Sequence, residues 1–101
     1  MKYSVRFPTA SLEDKFYKVL SKINRKIQEE IMNQTAALAD NPYPYGKKIF
    51  KKLSPPIKLL QYTAQYRLRI GDYRVLYDVD DQKKIVWVFV LRKRNEDTYK
   101  R

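Results

Sequence analysis

The stretch Tyr66-Arg-Leu-Arg-Ile-Gly-Asp-Tyr-Arg-Val-Leu-Tyr-Asp-Val79 constrains this chain more than any other, because both of its arms read as strand around a Gly71-Asp72 turn signal. A two-residue loop at that point sets Ile70 opposite Tyr73, Arg69 opposite Arg74 and Leu68 opposite Val75. Side chains alternate across a strand, so Arg67, Arg69 and Arg74 share one face of the hairpin, and Tyr66, Leu68, Ile70, Tyr73, Val75 and Tyr77 share the other. Two arginines directly opposite one another repel by roughly 0.2–1 kcal/mol unless an anion lies between them. A phosphate would supply that anion; solvent, or carboxylates such as Asp72 and Asp78, would relieve the charge without one.

The rest of the chain supplies the other layers. Tyr3, Val5 and Phe7 alternate with Ser4 and Arg6 in a strand that Pro8 ends. Ser11 followed by Asp14 resembles a capping box, and Leu12, Phe16, Val19, Leu20 and Ile23 recur behind it at helical spacing. A second helix starts near Asn24, with Ile27, Ile31 and Leu38 on one stripe; a break between Ser21 and Asn24 is preferred to one long helix. Asn41-Pro-Tyr-Pro-Tyr-Gly46 is a loop. Ile49, Phe50 and Leu53 suggest a short strand stopped by Pro55-Pro56. Ile85 to Leu91 is an unbroken apolar run, as in a strand covered on both faces. The order β, α, α, then three or four strands predicts an α+β fold, with two N-terminal helices packed on a small, mainly antiparallel sheet. A length of 101 residues accommodates one domain over 1–101.

Composition narrows the chemistry. The chain has no Cys and no His, which removes disulfides, thiolate metal sites, cysteine nucleophiles and the commonest general base. No metal or other cofactor is expected, and any catalysis falls to Lys, Arg, Tyr or carboxylates. No apolar run approaches a membrane span and the N-terminus lacks the apolar core of a signal peptide, so a cytoplasmic protein without membrane contact is expected. The net charge of +11 is unevenly spread: residues 41–77 carry eight basic side chains and one acid, whereas residues 1–40 carry seven and five. The excess therefore sits in the sheet half and points to a polyanionic partner. Beside the arginine face stand Lys47, Lys48, Lys51 and Lys52 before the hairpin and Arg92, Lys93 and Arg94 after it. Tyr43 and Tyr45 are read as covers of the core edge in preference to base-stacking groups, and Tyr99 as a C-terminal anchor in preference to a phenol that stacks on a base or moves a proton.

Tyr66 to Val79, the apolar strand after it and Arg92-Lys-Arg-Asn-Glu-Asp-Thr-Tyr-Lys100 together resemble the C-terminal half of RelE/ParE-superfamily toxins. The helix with Ile27-Gln-Glu-Glu-Ile31 and the Asn41-Pro42 loop fit the same pattern. The resemblance implies a type II toxin that, if RelE-like, is a metal-independent endoribonuclease cutting messenger RNA on the ribosome and is neutralised by a cognate antitoxin. It places Arg67 and Arg69 at two basic positions of the active strand and Arg74 at the arginine of a Gly-x-Tyr-Arg-like motif. Lys93 or Arg94 falls at the basic position before a terminal tyrosine, which is matched by Tyr99. Lys47, Lys48, Lys51, Lys52 and Arg92 are then expected to hold RNA.

Such a reaction needs no protein nucleophile, since the 2′-hydroxyl attacks the adjacent phosphate and arginines stabilise the charge that develops. RelE-type toxins often carry lysines where this chain has Arg67 and Arg69. Arginine stays protonated and is not a general base, which leaves Lys93 and Tyr99 as titratable candidates. Two alternatives stand beside this reading. One is a ParE-like inhibitor of DNA gyrase, whose relatives generally lack the basic strand. The other is a basic RNA-binding module or degenerate toxin that cuts nothing.

Overall fold

The structure, a computed structural model, describes residues 2–94. Its elements run β1 (Ser4–Arg6), α1 (Ala10–Leu20), α2 (Arg25–Ala37), β2 (Phe50–Leu59), β3 (Tyr62–Ile70), β4 (Tyr73–Asp80) and β5 (Ile85–Lys93). The five strands form one sheet in the order β1-β5-β4-β3-β2, with β1 parallel to β5 and every other neighbour antiparallel. The expected α+β architecture is therefore present.

The two helices are separate, each with its own cap. Thr9, in an extended conformation after Pro8, accepts the Leu12 N–H on Oγ1 at 3.1 Å and starts α1. The Ser11/Asp14 capping box is not used; both residues lie inside the helix, because Thr9 reaches the first free N–H groups two residues earlier. Asn24 caps α2 by accepting the Ile27 N–H on Oδ1 at 3.0 Å, and Gln28 Nε2 donates back to the Ile23 carbonyl at 2.9 Å. That cap makes the break after Leu20 a true helix end.

Phe16, Leu20, Ile23, Ile31 and Leu38 are buried against Leu68, Ile70, Val75, Tyr77, Val86, Val88 and Leu91 of the sheet. Full burial of side chains of this size contributes about 1.5–3 kcal/mol each. A second, smaller cluster of Leu53, Ala64, Leu76 and Phe89 contains no helical residue and fills the opposite face. β5 is thus covered on both faces, as its unbroken apolar run requires.

β2 corrects the sequence expectation. It continues from Phe50 through Pro55 and Pro56 to Leu59. Proline lacks the N–H that a central strand must donate, but β2 is at the sheet edge, and its register with β3 shifts between Lys52 and Ile57, where both prolines lie. β3 accordingly begins at Tyr62, four residues before the clean alternation starts.

Candidate anion site on the open face of the sheet

The hairpin register is the one expected: Ile70 pairs with Tyr73, Arg69 with Arg74 and Leu68 with Val75. Gly71 has φ +59°, whereas Asp72 is not in the left-handed region. This is the pattern of a two-residue hairpin turn with glycine at its first central position. Leu68, Ile70, Val75 and Tyr77 go to the helix-side core, so Arg67, Arg69 and Arg74 belong to the face turned away from the helices.

A fourth arginine joins them by a route the sequence conceals. Leu76 pairs with Val90 and Tyr77 with Val88, which leaves Phe89 as an extra residue on β5. Upstream of it Val86 and Val88 face the helices; downstream Leu91 does. The extra residue reverses the phase of the strand, as β-bulges do where a side chain must be re-aimed. Arg92 consequently stands directly across from Arg74. Arg69, Arg74 and Arg92 form a row over three adjacent strands, with cross-strand Cβ spacings of about 4.5–5.5 Å expected for such pairs.

Arg67 and Arg94 border the row. Arg67 Nη1 donates to the Ile49 carbonyl at 3.0 Å, and the Arg69 N–H donates to the same oxygen at 2.8 Å, so the start of β2 orients the Arg67 guanidinium. The Arg94 N–H donates to the Asp72 carbonyl at 2.6 Å and ties the end of β5 to the hairpin turn. Partial burial is the main cause that lowers the Arg67 and Arg74 guanidinium pKa values. Arg69 and then Arg94 add to the effect at Arg67; Arg92, Arg67 and Arg94 add to it at Arg74. Arg67 and Arg74 are therefore each crowded by other members of this cationic cluster. An oxyanion with several acceptor oxygens matches it, because guanidinium groups offer paired N–H donors in a fixed plane.

The remaining sequence candidates divide between the faces. Lys51 pairs with Arg67 and extends the arginine face to the sheet edge, whereas Lys52 pairs with Tyr66 and belongs by alternation to the other face. Lys47 lines a cavity with Gln34, Ala37, Leu38 and Leu68 on the helix side, and Lys48 is exposed beside it. Lys93 pairs with Tyr73 and so belongs to the face opposite Arg74. Tyr99 lies outside the described residues. Tyr43 donates its hydroxyl to Asp81 Oδ2 at 2.8 Å, and Tyr3 donates to Asp81 Oδ1 at 2.6 Å, which fits Tyr43 as a structural residue. No helix among the described residues is long and apolar enough to cross a membrane.

A family model described as the ParE toxin of a type II toxin–antitoxin system, parDE, matches residues 8–98. No curated protein sequence matches the chain. Among solved structures, a chain of the archaeal RelE–RelB complex from Pyrococcus horikoshii is similar with a TM-score of 0.68 at 23% identity, over 93% of this chain and 97% of that one. A chain of the RelBE2 toxin–antitoxin complex from Mycobacterium tuberculosis is similar with a TM-score of 0.60 at 23% identity, over 93% and 100%. A mutant of the E. coli toxin RelE in its free state gives 0.52 at 19% identity, over 97% and 90%. At these identities the structural likeness is one of fold.

Proposed function

The chain belongs to the RelE/ParE superfamily of type II toxins, matching the ParE toxin model over residues 8–98, and from that premise we propose that it is a metal-independent, ribosome-dependent endoribonuclease of messenger RNA. The observation that carries this reading is the row Arg69, Arg74 and Arg92, completed by the phase reversal at Phe89 and bordered by Arg67 and Arg94. A scissile phosphate placed over the row has its non-bridging oxygens within reach of donors from three strands. As the 2′-oxygen bonds to phosphorus and the P–O5′ bond breaks, negative charge grows on those oxygens, where fixed cations act most strongly. The arginines remain protonated throughout. The 2′-hydroxyl proton therefore passes to Tyr99, to a group supplied by the ribosome or to solvent, and the same sources return a proton to the leaving 5′-oxygen.

Like the RelE proteins in those complexes, the chain is assigned a cognate antitoxin. Acidic side chains on that partner would neutralise the arginine face by direct cover. Co-expression of the neighbouring reading frame should restore growth, and a neighbour that neither binds nor rescues would remove this assignment.

Primer extension on a translated message tests the enzymatic reading. Wild-type protein should give discrete stops, and Arg74→Ala should lower cleavage by about 10²–10³, the range for loss of one transition-state donor. Wild-type protein that cuts at no codon on programmed ribosomes would refute it. The match to the ParE model favours one competing reading, stoichiometric inhibition of DNA gyrase. A supercoiling assay decides between them, and the basic strand favours RNA.

A further inference from the structure

A second feature of the basic half is unused by the arginine site. Tyr43, Tyr45, Phe50 and Tyr66 form a closed square of rings. Tyr43 stacks on Tyr45 with centroids 6.3 Å apart, Tyr45 meets Phe50 edge to face at 5.1 Å, Phe50 stacks on Tyr66 at 5.7 Å, and Tyr66 meets Tyr43 edge to face at 5.3 Å. Three corners are partly covered, but Tyr45 is 69% exposed. The square is held from behind. Tyr66 packs on the buried Tyr77, whose hydroxyl donates to the Pro42 carbonyl at 2.8 Å, and Asp81 fixes Tyr43. The loop itself is pinned by the Tyr43 N–H on Asn41 Oδ1 at 3.1 Å and the Lys47 N–H on the Pro44 carbonyl at 3.2 Å.

The sequence that carries this square is rich in cations. From Asn41 to Gly71 the sequence contains five lysines, two arginines and no acid. Lys47 and Lys48 follow Tyr45 closely and are exposed, and Lys52 is placed on the same face as Tyr66. Asp78 and Asp81 lie on the Tyr66 side of the square, and the Asp81 carboxylate accepts the hydroxyls of Tyr3 and Tyr43. A rigid exposed ring flanked by cations is the arrangement that binds single-stranded nucleic acid without reading its sequence: the ring stacks on a base and the cations hold the backbone.

We propose that Tyr45 is a stacking platform for one base of a single-stranded RNA, with Lys47, Lys48 and Lys52 holding the adjacent phosphates. This rests on the RNA reading above and extends it. β2 is an edge strand with Lys51 and Arg67 on one face and the ring square on the other, so a strand leaving the arginine row over this edge reaches Tyr45. Preorganisation by the other three rings reduces the ordering cost of binding.

The test compares a short single-stranded oligoribonucleotide with an abasic one of equal length, binding to wild type, Tyr45→Ala, Tyr45→Phe and Arg74→Ala by fluorescence anisotropy. Tyr45→Ala should weaken the base-bearing oligonucleotide roughly 5- to 100-fold, the range for removal of one base–aromatic stack. It should leave the abasic one unchanged, and Tyr45→Phe should bind like wild type. Equal weakening of both oligonucleotides by Tyr45→Ala, or no weakening of either, would overturn the platform. If Arg74→Ala still weakens binding in those cases, the arginine reading survives alone. Wild-type protein that binds neither oligonucleotide at low salt would overturn the RNA reading itself.

Discussion

Arg69→Gln should make the protein more stable and less able to bind RNA. Arg69 is exposed and directly opposite Arg74, so the change removes a like-charge cross-strand pair without sacrificing buried surface. Such a pair is unfavourable by about 0.2–1 kcal/mol. At about 4–8 °C per kcal/mol for a domain of this size, the expected rise in Tm is roughly 1–8 °C. The origin is electrostatic, so the gain must depend on salt: it should be present near 0.01 M, where the Debye length is about 30 Å, and vanish near 1 M, where it is about 3 Å. Thermal melts followed by circular dichroism at both salts measure this. RNA titrations on the same variant should give a shallower salt dependence, by about 0.7 in the log–log slope for one lost phosphate contact on a single strand. A variant less stable than wild type at low salt, or a gain that salt does not alter, would show that the guanidinium groups splay apart uncoupled, and the argument for a shared anion would fail.

Other consequences are independent of that site. Leu60, at the tip of the β2–β3 hairpin, has φ +59° and is fully exposed. Glycine relieves a left-handed penalty of about 1–2 kcal/mol and loses about 0.5–1 kcal/mol through unfolded-state entropy, so Leu60→Gly should stabilise by up to about 1.5 kcal/mol in a urea titration; a lower midpoint would mean that the side chain packs in solution. Asp81→Asn separates two tyrosines. The raised Tyr3 phenol owes its shift first to the Asp81 hydrogen bond, whereas Tyr43 owes its shift first to burial. In an NMR-monitored titration Tyr3 should fall back towards an ordinary phenol while Tyr43 keeps most of its elevation. The Asp81 carboxyl is itself held below its ordinary value by the hydroxyls of Tyr3 and Tyr43. Its contribution to stability is present above the unfolded carboxylate pKa of about 3.9 and is lost as pH falls through the lower folded value. The variant should lack that part of the acid-side loss, and an unchanged acid limb would argue against it.

What could be read from sequence depended on whether polar residues marked the phase of each element. In Tyr66–Val79 arginines and apolar residues alternate, so strand, face and register all follow from one turn. Asn24 marks a helix start in the same way, because its side chain can cap where a core residue cannot. At the first helix two overlapping patterns competed, and Thr9 displaced Ser11 because Pro8 had already ended the strand. Prolines 55 and 56 misled because their meaning depends on position in the sheet: they would break a central strand, and β2 is an edge. Ile85–Leu91 carried no phase information, since every residue in it is apolar and either face could have been inward. The bulge at Phe89 was therefore invisible, and with it the place of Arg92 in the central row. Net charge by segment located the correct half of the molecule but not the division of Lys51 from Lys52.

That phase reversal makes a demanding prediction about Arg92 and Lys93, which are adjacent in sequence and assigned to opposite faces. Arg92→Gln and Lys93→Gln each remove one positive charge from the pair, and the double substitution Arg92→Gln with Lys93→Arg keeps that same total while moving the guanidinium by one residue. A binding site defined only by overall positive potential would treat the three variants alike, because each lowers the field of the basic half by the same single charge. A site defined by the row Arg69, Arg74 and Arg92 loses its third member, since an arginine at 93 pairs with Tyr73 and faces away. The double variant should then match Arg92→Gln alone in RNA affinity and in cleavage on programmed ribosomes, while Lys93→Gln stays near wild type in RNA affinity. Comparable folding of all three, checked by circular dichroism, keeps the comparison clean. If Lys93→Gln weakens RNA binding as much as Arg92→Gln does, the site is a diffuse cationic surface, and the bulge at Phe89 serves packing against Tyr62 and Leu76 instead of the chemistry of the open face.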